Sequence, residues 1–223
     1  ESMGILPECS HHEEGPGQNE IDFRYSDAMS AADNAMHFKT VVKTAALRYG
    51  LYADFSPKPI PGQAGNGMHI NMSVKCSDGT DKSEAFLAGV LAHVREITAF
   101  LNPTEESYRR FGEMKAPRYI TWSPENRSQL IRIPAAKGKY RRIELRSPDP
   151  TANPYLAYAL LIHAGLDGIQ KGMLPPQPIN ENLYTAPRSL TTALEQLPSS
   201  LTEAKRIARS SPFVTAILPE AML

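Results

Sequence analysis

Charged and apolar side chains alternate along the segment Arg141–Arg146. In an extended chain Ile143 and Leu145 would share one face, and the opposite face would present a carboxylate between two arginines. Other segments place polar residues in the same manner. These candidate residues are Arg142, Glu144 and Arg146 here, His69, Asn71 and Ser73 in a second segment, Arg132 in a third, and Glu13 and Glu20 around a Gly-Pro-Gly turn.

A cavity lined by these faces would hold three carboxylates, a histidine and at least three cations. Carboxylates and a neutral imidazole suit Mg²⁺ or Mn²⁺, and arginines bind phosphate and carboxylate groups in a bidentate way. That mixture is typical of phosphoryl transfer. A strand can equally present a polar face to water. The residue pattern by itself therefore leaves both a nucleotide or phosphate enzyme and a solvated β-face open.

The charge balance and the cysteine content of the chain restrict its possible partners and location. Lys and Arg together number 24, as do Asp and Glu, so the formal net charge is +0. Such a balance gives no bulk attraction to nucleic acid or to an anionic membrane, and we predict neither partner. Cys9 and Cys76 are the only cysteines and form no C-x-x-C pattern, which favours a reducing, cytoplasmic location. The apolar runs are too short for a bilayer, and no signal peptide is apparent.

The elements that must position these residues follow from periodicity, turn signals and caps. Residues 1–25 are predicted to form two strands joined at the Gly-Pro-Gly turn, and residues 51–67 a functional loop rich in Pro and Gly. A Pro-rich segment at 173–188 and short closing helices complete the chain. The remaining predicted elements are helices at 27–49, 83–101 and 154–171 and strands at 68–74, 119–122, 130–133 and 141–146. The first helix has an apolar stripe at Met29, Ala32, Met36 and Val41–Val42. The second has Ser83 as a cap and an apolar side formed by Phe86, Val90, Leu91, Val94 and Ile97.

Sequence motifs then indicate a family. No G-x-x-x-x-G-K-[ST] loop and no G-x-S-x-G elbow is present. Instead the chain resembles glutamine synthetases in five motifs that occur in the family's order. They are His11-His12-Glu13 with Gly17-Gln18-Asn19-Glu20, Lys58-Pro59 with Gly65-Asn66-Gly67-Met68-His69, Asn126-Arg127-Ser128 with Ile131-Arg132-Ile133-Pro134, Arg142-Ile143-Glu144-Leu145-Arg146, and Pro148-Asp149-Pro150 with Asn153-Pro154-Tyr155.

The resemblance implies a role for each matched residue. Glu13 and Glu20 match ligands of a first metal, and His69 and Glu144 match ligands of a second. Gly65 and Arg109 match substrate-pocket positions. Arg127, Arg132 and Arg146 match the catalytic cations that hold phosphate and the carboxylates of glutamate. The positions that match the surroundings of ATP are Glu8, Tyr25, Ser73, Arg132, Lys139 and Arg142.

The implied reaction joins ammonia to the side-chain carboxylate of glutamate through a γ-glutamyl phosphate, with ATP and Mg²⁺ or Mn²⁺. The implied fold is mixed α/β, in which helices pack on the outer face of a curved, largely antiparallel sheet, as in guanido kinases. Residues 1–223 would form one truncated catalytic domain that lacks the family's small amino-terminal domain and its extreme C-terminus. We expect this piece to be inactive alone, and the intact protein to form a homo-oligomeric ring.

The match departs from the family pattern at the position that matters for the nitrogen substrate. The family carries a glutamate before Ala-Pro in a flexible loop, where it takes a proton from ammonium, and here that position is Lys115. A cation there should repel ammonium. Two alternatives therefore stand beside the ammonia ligase: a γ-glutamyl ligase for another amine, and a non-catalytic relative that binds nucleotide or serves in assembly. Smaller departures are Asn71 for a second histidine, Ala64 for an asparagine, and Glu106 for an asparagine.

Several residues are left with structural roles or open roles. Tyr184 matches a tyrosine that is adenylylated in some bacterial members, but we predict packing for it. His37, His93 and His163 are predicted to be structural, and Trp122 to be core. For His11 and His12 the pattern indicates only that one of the two can face the cleft.

Overall fold

In a computed structural model, residues 4–113, 115–135 and 141–223 are described. They form a mixed α/β fold with two small sheets. The helices are α1 (Ala28–Arg48), α2 (Ser83–Leu101), α3 (Glu105–Tyr108), α4 (Pro154–Gln170), α5 (Arg188–Thr191), α6 (Leu201–Ser210) and α7 (Pro212–Ile217), followed by a 3₁₀ turn at Glu220–Met222. The strands are β1 (Pro7–His12), β2 (Asn19–Phe23), β3 (Ile70–Met72), β4 (Trp122–Pro124), β5 (Ile131–Ile133) and β6 (Ile143–Leu145).

The main sheet has the order β3-β6-β5-β4. β6 pairs antiparallel with β3 and β5, whereas β4 runs parallel to β5. The strands are shorter than predicted because the pairing covers three residues at most, from Ile70 opposite Leu145 to Met72 opposite Ile143. The predicted strand at 119–122 was misplaced. Tyr119 makes only an isolated bridge to Gln196, and the strand starts at Trp122.

The core lies between this sheet and the pair α2 and α4. Ile131, Ile143 and Leu145 join a buried cluster with the apolar side of α2, and the apolar side predicted for α2 is confirmed. The helices cross with their backbones in contact: a Cβ on Gly89 would lie 2.2 Å from the Ala164 carbonyl oxygen and 2.8 Å from the Gly168 Cα. Close contact of this kind requires glycine, and it fixes α4 beneath the sheet.

Helix ends follow their sequence signals. The Asp27 carboxylate accepts from the backbone N–H groups of Met29 and Ser30 at the start of α1. Asn153 caps α4 ahead of Pro154 in the same way, and Gly172 follows its end with a φ of +60°. The predicted Ser83 cap of α2 was wrong, because Ser83 is already helical and its N–H donates to the carboxylate of Asp81.

β1 and β2 form a separate antiparallel hairpin beside α1. Phe23 of β2 packs on Phe38 of α1 with ring centroids 5.8 Å apart. The apolar stripe predicted for α1 is largely uncovered, since only Ala32 and Ala35 are buried and Met29 is 65% exposed. The hairpin and α1 therefore form a lightly packed part of the molecule. Among the described residues no helix combines the length and apolar character that a membrane span requires.

Trp122 stands on β4 at the edge of the main sheet. Its backbone lies opposite Ile131, and its indole N–H donates to the carbonyl oxygen of Pro176 at 2.7 Å. Its side chain packs against the central core from a partly buried position, so the core role predicted for it is confirmed. The Pro-rich segment is thereby fixed to the sheet edge.

Candidate active site

Four polar side chains meet on the main sheet. Arg132 of β5 and Asn71 of β3 both lie opposite Glu144 of β6 in the strand register. The Arg132 Nε donates to Glu144 Oε2 at 2.5 Å, and the Arg146 Nη1 donates to Glu144 Oε1 at 3.1 Å. The His69 Nδ1 lies 3.3 Å from the same Oε1. We call His69, Arg132, Glu144 and Arg146 the sheet cluster.

The centre of the sheet cluster is buried, while the side chains of Arg132 and His69 at its margin are 19% and 30% exposed. Glu144 and Arg146 are 5% and 3% exposed. Burial raises the pKa of Glu144, but hydrogen bonds from His69 and Arg132 and the charge of Arg146 outweigh it, so the pKa lies well below its usual range. Burial lowers the pKa of His69, which favours the neutral imidazole that a metal ion requires.

The loop at residues 65–67 lies against a buried arginine. A Cβ on Gly65 would lie 2.5 Å from the carbonyl oxygen of Pro57 and 2.9 Å from Cγ of Arg110, so only glycine fits there. The Arg110 Nη1 donates to the carbonyl oxygen of Ser147 at 3.0 Å and lies 3.8 Å from Asp149 Oδ2. Burial lowers the pKa of Arg110 to about 10, so the guanidinium stays charged at neutral pH.

Arg110 retains binding capacity toward this loop. Its Nε has no hydrogen-bond partner among the described residues, and a Cβ on Gly67 would lie 3.3 Å from its Nη2. Arg110 is 3% exposed, whereas the predicted substrate residue Arg109 is exposed at the end of α3. The prediction for Arg109 stays untested. Arg110, which the sequence reasoning missed, is the arginine that lies against Gly65.

A second group of ligand-type side chains lies on the hairpin. The His11 Nε2 is 3.1 Å from Glu13 Oε1 and 4.0 Å from Glu20 Oε1, and one ligand atom from each of the three residues lies within 4.8 Å of the others. We call His11, Glu13 and Glu20 the hairpin cluster. It is partly open to solvent, with side-chain exposures of 44%, 25% and 38%.

Charge at the hairpin cluster is only partly compensated. Burial raises the pKa of Glu13, but the ammonium of Lys115 and the hydrogen bond from His11 hold it below its ordinary value. Burial and the neighbouring carboxylates of Asp22 and Glu13 raise the pKa of Glu20. Concentrated negative charge near an imidazole favours a bound cation.

Lys115 connects the two clusters. Its Nζ lies 2.8 Å from Glu14 Oε1 and 3.7 Å from Glu13 Oε2. Its carbonyl oxygen accepts from the Arg146 Nη2 at 3.4 Å, and its φ of +69° is unusual for a residue with a side chain. Gln18 ties the hairpin to the glycine loop as well, because its Nε2 donates to the Gly65 carbonyl oxygen at 3.0 Å.

The four predicted metal ligands therefore fall into two groups, Glu13 with Glu20 and His69 with Glu144, bridged through Lys115 and Arg146. His11 belongs with the first group. The sequence signal for it was available, because His11 alternates with Glu13 along the chain and so shares a face with it. The pairing of His11 with Glu20 then adds the second carboxylate to the same face.

The other predicted residues lie on exposed surfaces around these groups. Arg127 is exposed and its carbonyl oxygen accepts from the Arg146 Nε at 3.1 Å. Glu8 lies 3.7 Å from Arg24, Tyr25 is 86% exposed, and Ser73 is exposed just after β3. The Arg142 Nε donates to Asn71 Oδ1 at 3.1 Å. Lys139 falls outside the described residues. For all of these the ATP or substrate roles stay predictions.

Tyr184 reaches toward the same arginines from the Pro-rich segment. Its hydroxyl is buried and has no hydrogen-bond partner within the described part of the chain. Burial raises its pKa to about 12, against the opposing charges of Arg146 and Arg110. A buried hydroxyl is a poor target for a modifying enzyme, so the packing role predicted for Tyr184 remains the better interpretation.

Comparison with known proteins agrees with the geometry. A family model described as "Glutamine synthetase, catalytic domain" matches residues 1–223. The chain is 46% identical over 219 residues to a glutamine synthetase of Clostridium saccharobutylicum, which covers 92% of this chain and 49% of that protein. It is 44% identical over 233 residues to one of Staphylococcus aureus strain MW2, covering 98% and 52%. The chain thus spans about half the length of the curated relatives it matches.

Solved structures resemble the chain along its whole length. A complex of GmaS with ADP superposes with a TM-score of 0.89 at 35% identity and covers 99% of this chain and 54% of that one. Apo GmaS superposes with a TM-score of 0.87 at 36% identity, covering 99% and 53%.

Proposed function

Because this chain belongs to the glutamine synthetase family, we propose that it forms the catalytic part of an ATP-dependent ligase that joins ammonia or an amine to the side-chain carboxylate of glutamate. The observation that carries the proposal is the sheet cluster. Arg132 and Arg146 both pair with the buried Glu144, which lies next to His69. With two arginines to one carboxylate, the cluster keeps a net positive charge that the fold holds in place, which suits the binding of a phosphoryl group.

Both metal positions fit a divalent ion by the chemistry of their donors. Glu13 and Glu20 offer carboxylate oxygens within 4.8 Å of each other and of His11, and His69 lies 3.3 Å from Glu144. Glu13 and Glu20 would hold Mg²⁺ or Mn²⁺ at one position, and His69 and Glu144 would do so at the other. When bound, such ions would neutralise phosphate charge and orient the oxygens of the transferred group.

The chain's own residues would do the remaining work. We assign Arg110, together with the backbone of Gly65, to the carboxylates of glutamate, because its Nε is buried without a partner among the described residues. Arg127, Arg132 and Arg146 would hold phosphate. An oxygen of the glutamate side chain would bond to the γ-phosphorus of ATP while the bond to ADP breaks. The amine would then attack the acyl carbon, lose a proton and displace phosphate.

Lys115 favours an acceptor other than ammonium. Its ammonium lies next to Glu13 and Glu14, at the loop position where the family resemblance calls for a glutamate. A fixed cation there repels ammonium and offers no base for deprotonating it. An amine that arrives neutral, or that carries a carboxylate able to pair with Lys115, avoids this repulsion. Ligation of such an amine is the second candidate function.

Assembly and location complete the proposal. Large apolar side chains around α1 are exposed, among them Leu47, Tyr49, Leu51 and Tyr52, which suits burial in a homo-oligomeric ring. Both cysteines are free, which suits a reducing cytoplasm. Light scattering coupled to gel filtration would detect the oligomer.

The function is tested first by nucleotide binding. We expect the 223-residue chain to bind ADP in the presence of Mg²⁺ or Mn²⁺, and Arg132→Ala to weaken that binding. The control is Arg188→Ala, which changes an exposed arginine on α5. Equal ADP affinity in both variants would contradict the phosphate role of Arg132.

Turnover is tested next in a chimera that joins this chain to the part of the S. aureus relative that it does not cover. We expect ADP release to require glutamate together with an amine, and Lys115→Glu to raise the ratio of ammonium-dependent to amine-dependent release. ADP release that is independent of glutamate would overturn the ligase proposal. An unchanged ratio in Lys115→Glu would remove the second candidate.

A further inference from the structure

We propose that His11 is a direct ligand of a transition-metal ion in the hairpin cluster, and that Lys115 is a tethered cation that competes with this ion for Glu13. The resulting site has one imidazole and two carboxylates. This proposal concerns a metal site of the proposed ligase, and only the biological purpose of the site rests on that proposed function. Its geometry comes from the hairpin itself.

The hairpin places the three ligands by its register. His11 lies directly opposite Glu20 in the β1–β2 pairing, and Glu13 follows His11 by two positions, so all three share one face. Metal–ligand bonds of about 2.0–2.2 Å require ligand atoms about 3.0–3.4 Å apart. The His11 Nε2 and Glu13 Oε1 already meet this at 3.1 Å, and Glu20 Oε1, at 4.0 Å, needs only a small side-chain rotation.

The His11 ring is oriented for ligation through Nε2. The Sγ of Cys9 lies 3.8 Å from Nδ1 on the far side of the ring. A partner at one ring nitrogen fixes the orientation of a histidine ligand and leaves the other nitrogen for the metal. His12, the next residue, points to the opposite face of the strand and belongs to no such group among the described residues.

Lys115 already places a positive charge at this site. Its Nζ lies 3.7 Å from Glu13 Oε2 and 2.8 Å from Glu14 Oε1. An ion at Glu13 would repel the ammonium, which keeps Glu14 as a partner if it moves away. Lys115 can therefore move away from Glu13 while it keeps its ion pair with Glu14. The loss of its interaction with Glu13 opposes metal binding.

An imidazole ligand changes the preferred ion. Mg²⁺ favours oxygen ligands, whereas Mn²⁺ and Zn²⁺ accept imidazole nitrogen together with carboxylate oxygen. We therefore expect this site to select Mn²⁺ over Mg²⁺ more strongly than a site built from carboxylates alone. His11→Asp should reduce that selectivity, because it replaces the nitrogen with a third carboxylate.

Calorimetric titration of the 223-residue chain with Mn²⁺ tests the proposal. All variants carry His69→Asn so that the sheet cluster cannot supply an imidazole. In that background we expect His11→Asn to weaken Mn²⁺ binding at least about tenfold, and Lys115→Gln to strengthen it about two- to fivefold. His12→Asn is the matched control and should bind as the background does, with an unchanged circular dichroism spectrum.

Electron spin echo spectroscopy on bound Mn²⁺ supplies a readout that does not depend on affinity or turnover. Modulation from a directly bound imidazole nitrogen should persist in the His69→Asn and His12→Asn chains and vanish in His11→Asn. Loss of the signal in His12→Asn, its survival in His11→Asn, or absence of Mn²⁺ binding in Lys115→Gln would each overturn the proposal. The ligase function could still hold in every one of these cases, since turnover is measured separately.

Discussion

The sheet cluster and the hairpin cluster contain similar residue types in opposite physical settings. In the sheet cluster Glu144 is 5% exposed and receives contacts from three cationic or imidazole side chains. In the hairpin cluster, Glu13 and Glu20 are partly exposed, and Lys115 and His11 compensate them incompletely. The first set of charges is centred on a buried carboxylate with close partners, whereas the second set is partly exposed and keeps uncompensated negative charge.

The helices that support the two clusters also differ in how tightly they are packed. Eleven residues of α2 are buried, against two of α1. A tightly packed element holds side chains in place, while a lightly packed one leaves them able to adjust. We therefore expect the side chains of the sheet cluster to be held more rigidly than those of the hairpin cluster.

The sharpest test of this contrast is Glu144→Gln. Removing the carboxylate leaves the buried Arg146 and the partly buried Arg132 without their counter-charge, and breaking a buried pair in this way costs about 3 kcal/mol. Urea unfolding at pH 7 would measure the change in the free energy of unfolding. Glu13→Gln is the matched change on the hairpin and should cost less than about 1 kcal/mol. Equal losses of unfolding free energy in the two variants would show that the two clusters stabilise the fold to the same extent.

Acid should reduce the difference between the wild-type chain and Glu144→Gln. The folded pKa of Glu144 lies below its ordinary value of 4.5. A depressed pKa gives stability that is complete above the unfolded pKa and is lost as pH falls through the window beneath about 4.5. Unfolding free energies of both chains between pH 7 and pH 3 should therefore converge toward low pH. A gap that stays constant would show that Glu144 does not act through its charge.

Packing beneath the sheet cluster is tested by Gly89→Ala. Alanine is the better helix former by about 1 kcal/mol, yet its Cβ would collide with the backbone of α4. We expect the collision to prevail and to lower the free energy of unfolding by about 1–3 kcal/mol. Thermal denaturation would show it. A rise in melting temperature would mean that α2 and α4 can separate freely.

The smallest expected effect is that of Lys115→Gln on stability. Lys115 is 39% exposed at its side chain and pairs with Glu13 and Glu14 near solvent. Exposed pairs contribute between about 0.2 and 1 kcal/mol. The same urea titration should therefore show little change, in contrast to the gain in Mn²⁺ affinity. A loss as large as that of Glu144→Gln would place Lys115 among the structural residues.

Local signals predicted much of this fold. The hairpin turn, the apolar face of α2 and the Asn153-Pro154 start of α4 are all encoded within a few residues. The strand at 119–122 and the stripe on α1 were less well predicted, because both depend on partners distant in the chain. Tyr119 meets Gln196, and α1 has little to pack against in this chain.

The site was predicted in part for the same reason. Alternation placed Arg132, Glu144 and His69 toward a shared surface, and the structure brings them together. Neighbouring residues of one type were harder to separate. His11 and His12 differ in the face of the strand that they occupy, and Arg110 and Arg109 differ in burial, so the structure had to show the strand register and the end of a short helix.

The protein has a single tryptophan, so tryptophan fluorescence reports on the main sheet and not on the hairpin. Trp122 belongs to the edge of the main sheet and donates to Pro176, so its emission should report the loss of that body and of the Pro-rich segment. The hairpin carries no indole of its own. Unfolding curves from tryptophan fluorescence will therefore follow the main sheet and its core. Unfolding of the hairpin has to be followed with a fluorescent label placed on it.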